Sequence, residues 1–249
     1  MQPIFYLMII LKKEIALYII LKCKIVKNRK RACCMIKGFI FDMDGTLIDS
    51  VPFINTVDEK YLREHGVEPK PEILRKLMTM NYAEAVSFFH ENVEPEKSPE
   101  QIFSELKERI VYEYLNNIPA KDGVKEFLER ASERNIKMCV ATVTDKTLAA
   151  AVLKRAGLLE YFSFIITTDE LATTKHEPLI FDRSAEMLGF GKDEVLIFED
   201  SLYCIETAVN TGYKVAAVYD EASECNAEKI KKISSVYLKN INDFDLEKM

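Results

Sequence analysis

Short apolar runs alternate with amphipathic stretches along most of this chain. Residues 36–41 (Ile-Lys-Gly-Phe-Ile-Phe) form one such run, which stops at Asp42. Its length and composition predict a buried strand. Runs of the same kind occupy 137–141, 164–167, 195–198 and 213–218, with a weaker sixth at 235–238. Between them, 124–134, 147–156, 178–188 and 202–210 carry apolar residues three and four apart, the spacing of a helix with one buried face. Strands alternating with helices of about 10 residues predict an α/β protein: a doubly wound, mostly parallel sheet with helices on both faces.

The stretch 51–117 breaks this rhythm. It holds no strand pattern, only helical ones at 53–65, 72–78, 82–92 and 99–116. Pro69, Pro71, Pro95 and Pro99 mark the joints, because a helix does not continue through proline. The expected organisation is an N-terminal extension at 1–34, a catalytic core built from 35–52 and 118–249, and an all-helical insertion at 53–117.

Composition narrows the function classes. With 48% hydrophobic and 30% charged residues the chain can bury a core and is not a disordered segment. The net charge of −6 hides an asymmetry: residues 1–34 hold eight Lys/Arg and one Glu, so the rest of the chain is strongly acidic. Such a body is a poor partner for a nucleic-acid backbone, and no nucleic acid is expected. It accepts a small anion only where a metal or a local cation overrides the field. The six cysteines (Cys23, Cys33, Cys34, Cys139, Cys204 and Cys225) include no Cys-x-x-Cys pair and read as reduced thiols of a cytoplasmic protein. In the first segment, Lys12, Lys13 and Glu14 interrupt the apolar runs 4–11 and 15–21. A membrane-spanning helix needs about 20 apolar residues, and a signal peptide has its positive charge before the apolar part. The expectation is that the native protein starts at Met35, that 1–34 is a mis-assigned extension, and that membrane contact is absent.

The candidate chemistry lies at strand ends. Asp42-Met43-Asp44-Gly45-Thr46 puts two carboxylates where the first strand stops, the edge at which open α/β sheets bind ligands. A plainer reading makes 44–46 an ordinary turn, with Asp49 or Ser50 capping the next helix; it accounts for Asp44 but not for a charge at the end of a buried strand. Thr142-Val143-Thr144 follows the second strand and precedes a helix, so the Thr142 hydroxyl and the free backbone N–H groups around Val143 suit a phosphate. Taken alone, that threonine also reads as a helix cap, and Lys175 as a solvent-facing loop residue. Glu199-Asp200 places two adjacent acids at another strand end, costly unless a cation compensates. Together these residues are coherent. Asp42, Asp44 and Asp200 offer hard oxygen ligands to Mg²⁺. Lys175 and Thr142 would hold phosphoryl oxygens, Asp42 would attack phosphorus, and Asp44 would act as general acid and base.

In this order, Asp42-Met43-Asp44-Gly45-Thr46, Thr142, Lys175 and Glu199-Asp200 resemble the four motifs of the haloacid dehalogenase-like phosphohydrolases. The resemblance runs from residue 35 to about 220 and likens 53–117 to that family's helical cap over a Rossmann-like core. It implies an aspartyl-phosphate on Asp42, acid/base work by Asp44, and phosphoryl binding by Thr142, Val143 and Lys175. It also implies Mg²⁺ held by Asp42, the main-chain carbonyl of Asp44, Asp200 and Glu199, the last either directly or through a water. The second aspartate favours a phosphatase or mutase over a dehalogenase. Two departures stand out: Lys175-His176-Glu177-Pro178 where relatives read Lys-Pro-x-Pro, and Cys204 where they often carry glycine. The nearest subgroup contains β-phosphoglucomutases and sugar-phosphate or phosphoglycolate phosphatases. The mutases carry a histidine early in the first cap helix; residues 51–57 have none, and His65 and His90 come later. The expected function is therefore Mg²⁺-dependent hydrolysis of a small phosphate monoester. A mutase is the alternative, and a non-catalytic phospho-accepting module the alternative of another class. Phe53, Asn55, Asp58, Met80 and Tyr82 are candidates for substrate specificity.

Overall fold

The computed structural model describes residues 35–77, 80 and 82–248; the expectations for 1–34 lie outside them. After β1 (Gly38–Phe41) come four helices, α1 (Val51–Glu64), α2 (Pro71–Leu77), α3 (Tyr82–Asn92) and α4 (Pro99–Asn116). The alternating part follows: α5 (Val124–Glu133), β2 (Lys137–Thr142), α6 (Lys146–Arg155), β3 (Ile165–Thr167), α7 (Leu179–Leu188), β4 (Val195–Glu199), α8 (Leu202–Asn210), β5 (Lys214–Val218), α9 (Ala227–Ile233) and β6 (Val236–Leu238). The strands form one parallel sheet in the order β3-β2-β1-β4-β5-β6. This is the doubly wound α/β architecture that the sequence predicts. Short α9 was not foreseen; seven residues carry too few turns to print a helical period.

The period-two alternation of strand side chains sorts the core into two layers. Phe39, Phe41, Met138, Val140, Leu196 and Phe198 face α5 and α6, where they meet Phe127, Leu128 and Val152. Ile40, Cys139, Ala141, Ile197 and Val215 face the other way, against Phe181, Leu188, Ile205 and Ile230. The first layer is aromatic: Phe41 stacks on Phe198 with ring centroids 4.7 Å apart. Each phenylalanine fully buried there contributes about 1.5–3 kcal/mol of transfer free energy. Buried strands flanked on both sides explain why the runs read as continuously apolar.

The four-helix insertion has an apolar cluster of its own, centred on Val57, Tyr61, Leu62, Phe89, Ile102 and Leu106. Its helices start where proline is tolerated. Pro52 sits in the first turn of α1, which begins at Val51 rather than at the expected 53, because proline there gives up only an N–H that has no helical partner. Ser98 and Gln101 form a reciprocal capping box on α4. The chain leaves and re-enters the sheet through adjacent segments: Ile48 bridges Ala120 in antiparallel fashion, and the Asp49 N–H donates to the Pro119 carbonyl at 3.0 Å. The Arg155 guanidinium in α6 donates to the carbonyls of Tyr114 and Ile118, pinning the end of α4 to the sheet side.

Candidate active site

The chain runs from β1 outward to β2 and β3, then returns to start the other half at β4, next to β1. The crevice at the C-terminal ends of strands flanking such a reversal is the natural ligand site of an open α/β sheet. Asp42 follows β1, and Glu199 ends β4. Phe41 pairs with Phe198 in the ladder, and the Asp42 N–H donates to the Phe198 carbonyl at 2.9 Å, so the two acidic segments are held in register. Gly45 lets the chain turn back after the first aspartates. Its φ of +78° is a left-handed conformation, and a Cβ there would lie 2.7 Å from Asp200 Oδ2.

One carboxylate oxygen from each of Asp42, Glu199 and Asp200 lies within 4.8 Å of the others. Lys175, only 2% exposed, reaches between them: Nζ donates to Asp42 Oδ1 and to Glu199 Oε1, the latter at 3.0 Å. Glu199 Oε2 accepts the backbone N–H groups of Asp200 and Ser201 at 2.7 and 2.9 Å. Asp200 accepts the hydroxyls of Thr46 and Ser201, both at 3.3 Å. Asp44 takes a different set of partners. Its Oδ1 accepts the Tyr114 hydroxyl at 2.5 Å and its Oδ2 the Thr144 hydroxyl at 2.7 Å. Thr142 Oγ1 accepts the Thr144 N–H at 3.0 Å, which joins this group to the end of β2.

The cluster carries more negative charge than its one lysine can balance. Burial pushes Asp42 up to about 8 against the pull of Lys175, with Glu199 and Asp44 adding repulsion. Burial, then Glu199 and Asp42, push Asp200 well above the usual carboxylate range. Burial works against Glu199 too, yet Lys175 and the Ser201 N–H hold it below that range. Burial would lower Lys175, but Asp42 and Glu199 keep it firmly charged. Burial dominates these upward shifts, and the repulsion added by neighbouring carboxylates marks a charge surplus that a divalent cation would offset. Three hard carboxylate oxygens in a buried, lysine-braced crevice fit Mg²⁺, which binds through a few carboxylates and keeps waters. The Asp44 carboxylate stands outside this oxygen group.

The structure thus brings Asp42, Lys175, Glu199 and Asp200 into direct contact and links Asp44 to Thr142 through Thr144. Lys175 does not face solvent. The side chain of Val143 is 52% exposed, which leaves its backbone N–H as the group a phosphate could meet. Thr142 does not cap the following helix: Asp145 does, accepting the N–H groups of Thr147 and Leu148, and the buried Thr142 hydroxyl stays with the site. Tyr114 and Lys121 escaped the sequence reading; Ser50, named there as a possible cap, does sit at the N-cap of α1 but makes no side-chain cap hydrogen bond. Tyr114 shows only the signal of a packed aromatic in an amphipathic helix. Lys121 donates to the carbonyls of Gly45 and Tyr219 and to Asp220 at 2.6–2.8 Å, bracing the turn from behind. A cleft of about 680 Å³ opens beside the site; Thr46, Asp49, Asn55, Lys121 and Asp220 are among its walls.

Among the specificity candidates, Phe53 packs on the sheet cluster, Asn55 lines that cleft, Met80 packs on the insertion's own cluster, and Tyr82 opens α3. Asp58 has no hydrogen-bond or ion-pair partner among the described residues, and burial raises it from 3.8 to about 6. The folded state therefore holds this proton more tightly than the unfolded chain. Its stabilising contribution is present below about pH 4 and is lost as pH rises past about 6. Asp58→Asn is expected to stabilise the protein at pH 8 by on the order of 2 kcal/mol and to change little at pH 4. Thermal unfolding at the two pH values checks this; equal effects at both would mean the carboxylate is solvated.

Known proteins resemble this chain in both sequence and backbone. The sequence profile of the haloacid dehalogenase-like hydrolases matches residues 39–218. The chain is 30% identical over 179 residues to the phosphorylated carbohydrates phosphatase of Thermotoga maritima, covering 71% of this chain and 82% of that one. It is 27% identical over 197 residues to the phosphoglycolate phosphatase of Neisseria gonorrhoeae, covering 72% and 81%. Its backbone matches the crystal structure of a Thermotoga maritima protein described as a β-phosphoglucomutase, with a TM-score of 0.75 at 25% identity over 84% of this chain and 96% of that one. A profile match that takes in both the sheet and the helical insertion establishes that the chain belongs to the haloacid dehalogenase-like hydrolase family.

Proposed function

We propose that this protein hydrolyses a small phosphate monoester, a sugar phosphate or similar metabolite, through a phosphorylated Asp42. The observation that carries the reading is the buried convergence of Asp42, Glu199 and Asp200 around a single lysine at the sheet's switch point. Mg²⁺ would be held by Asp42, Asp200, the Asp44 carbonyl and Glu199, and when bound it neutralises charge on the phosphoryl group. The chain's own residues perform the rest. A carboxylate oxygen of Asp42 forms a bond to phosphorus as the bond to the leaving oxygen breaks, and that oxygen takes the proton carried by Asp44. In the second half, water attacks the phosphoryl group while giving a proton back to Asp44, which releases inorganic phosphate and restores Asp42. Thr142, the backbone N–H of Val143 and Lys175 orient the phosphoryl oxygens. The helical segment 53–117 serves as a cap over the core of 35–52 and 118–249, excluding bulk water. The names of the relatives, which span phosphorylated carbohydrates and phosphoglycolate, support a small phosphorylated substrate. Among the described residues no helix is long and apolar enough to cross a membrane.

Hydrolysis is favoured over a phosphomutase because no histidine stands in 51–57 to help shield a phospho-enzyme from water. Phosphate release from sugar phosphates, phosphoglycolate and nucleoside monophosphates, measured with Mg²⁺ and after EDTA treatment, tests the proposal. Turnover is expected to vanish with EDTA and return with added Mg²⁺. Undiminished activity in EDTA, or conversion of a sugar phosphate to its isomer without phosphate release, would overturn it.

A further inference from the structure

We infer that Tyr114 is a positioning residue for the acid/base Asp44, reaching it from the helical insertion; this deepens the phosphatase reading and rests on it. Tyr114 lies in the last turn of α4, 70 residues from Asp44, and its hydroxyl donates to Oδ1 at 2.5 Å. Thr144, on the loop after β2, donates to Oδ2 at 2.7 Å. Two donors on the two oxygens fix the plane of the carboxyl group, one from the insertion and one from the sheet. The phenol is itself fixed. The residue is 5% exposed and packs in the sheet's aromatic layer rather than in the insertion's own cluster. Its main-chain carbonyl accepts from Arg155 at 3.2 Å. It also borders the buried Ser50 hydroxyl. Packing alone requires only the ring, and phenylalanine supplies that. The hydroxyl is the part that sets where the Asp44 proton is delivered.

Leaving groups separate this role from a structural one. An alkyl phosphate needs its leaving oxygen protonated as it departs, whereas p-nitrophenolate leaves without a proton. In the full chain, Tyr114→Phe is expected to lower kcat/KM for an alkyl phosphate by about 10- to 100-fold, the worth of a hydrogen bond to a charged group. The same variant should lower kcat/KM for p-nitrophenyl phosphate by less than about 3-fold, a change below the loss of any such bond. Thr144→Val, which removes the other donor, should show the same selectivity, so the inference does not depend on one variant folding well. Equal losses on both esters, or no loss on either, would overturn it while leaving the phosphatase reading in place. A wild-type protein inert towards both esters would sink that reading and this inference together.

Discussion

Asp42→Asn is expected to leave a folded protein whose turnover has fallen by roughly 10³-fold or more, the scale of loss when a covalent catalyst loses its nucleophile. The amide matches the carboxylate in shape but cannot form the acyl phosphate. The fold should tolerate the change, because the carboxylate is buried 7% exposed among like charges that push its proton affinity up to about 8. Removing that charge relieves repulsion from Glu199 and Asp44, and Lys175 retains Glu199 as a partner. Steady-state hydrolysis of p-nitrophenyl phosphate with Mg²⁺ is the measurement, read beside a thermal unfolding curve. A variant that keeps more than about 10% of kcat would move the nucleophile elsewhere.

Lys175→Met should be costly in two ways. The ammonium joins two buried carboxylates, and taking one partner from a buried ion pair destabilises by about 3–5 kcal/mol. For a protein of this size that corresponds to an unfolding midpoint lower by about 10 °C. Activity should fall as well, since the phosphoryl oxygens lose their fixed cation. Stability is best compared in EDTA, where no ion can take over the charge of the lysine. An unchanged midpoint there would show that Asp42 and Glu199 relax into solvent and that the lysine is not a structural tie.

The fold was legible because the strands are buried on both faces. Apolar runs at 137–141 and 195–198 can serve nothing else, and the helices between them carry regular three- and four-residue spacing. Boundaries were less so. The first helix of the insertion begins at Val51 because Pro52 belongs in a first turn, a feature that looks like a break when the sequence is read alone. The residues gathered at the site were legible for a related reason: a charge at the end of a buried strand is expensive, so Asp42 and Glu199-Asp200 stand out without any structure. What sequence could not supply was the wiring. Asp145 rather than Thr142 caps α6, and nothing in Thr-Val-Thr-Asp decides between them. Tyr114 meets Asp44 only because α4 returns alongside the sheet and Arg155 pins its end. Contacts that depend on where a distant helix stops carry no local pattern.

The neighbouring passages at Ile48–Asp49 and Pro119–Ala120 mean that the bundle is grafted onto the sheet at a single stem. Exchanging everything beyond that stem for another self-sufficient bundle would leave each pairing of the parallel ladder undisturbed. A grafted bundle would have to bring its own donor to the Asp44 carboxylate, because Tyr114, the one this chain's bundle uses, travels with the scion.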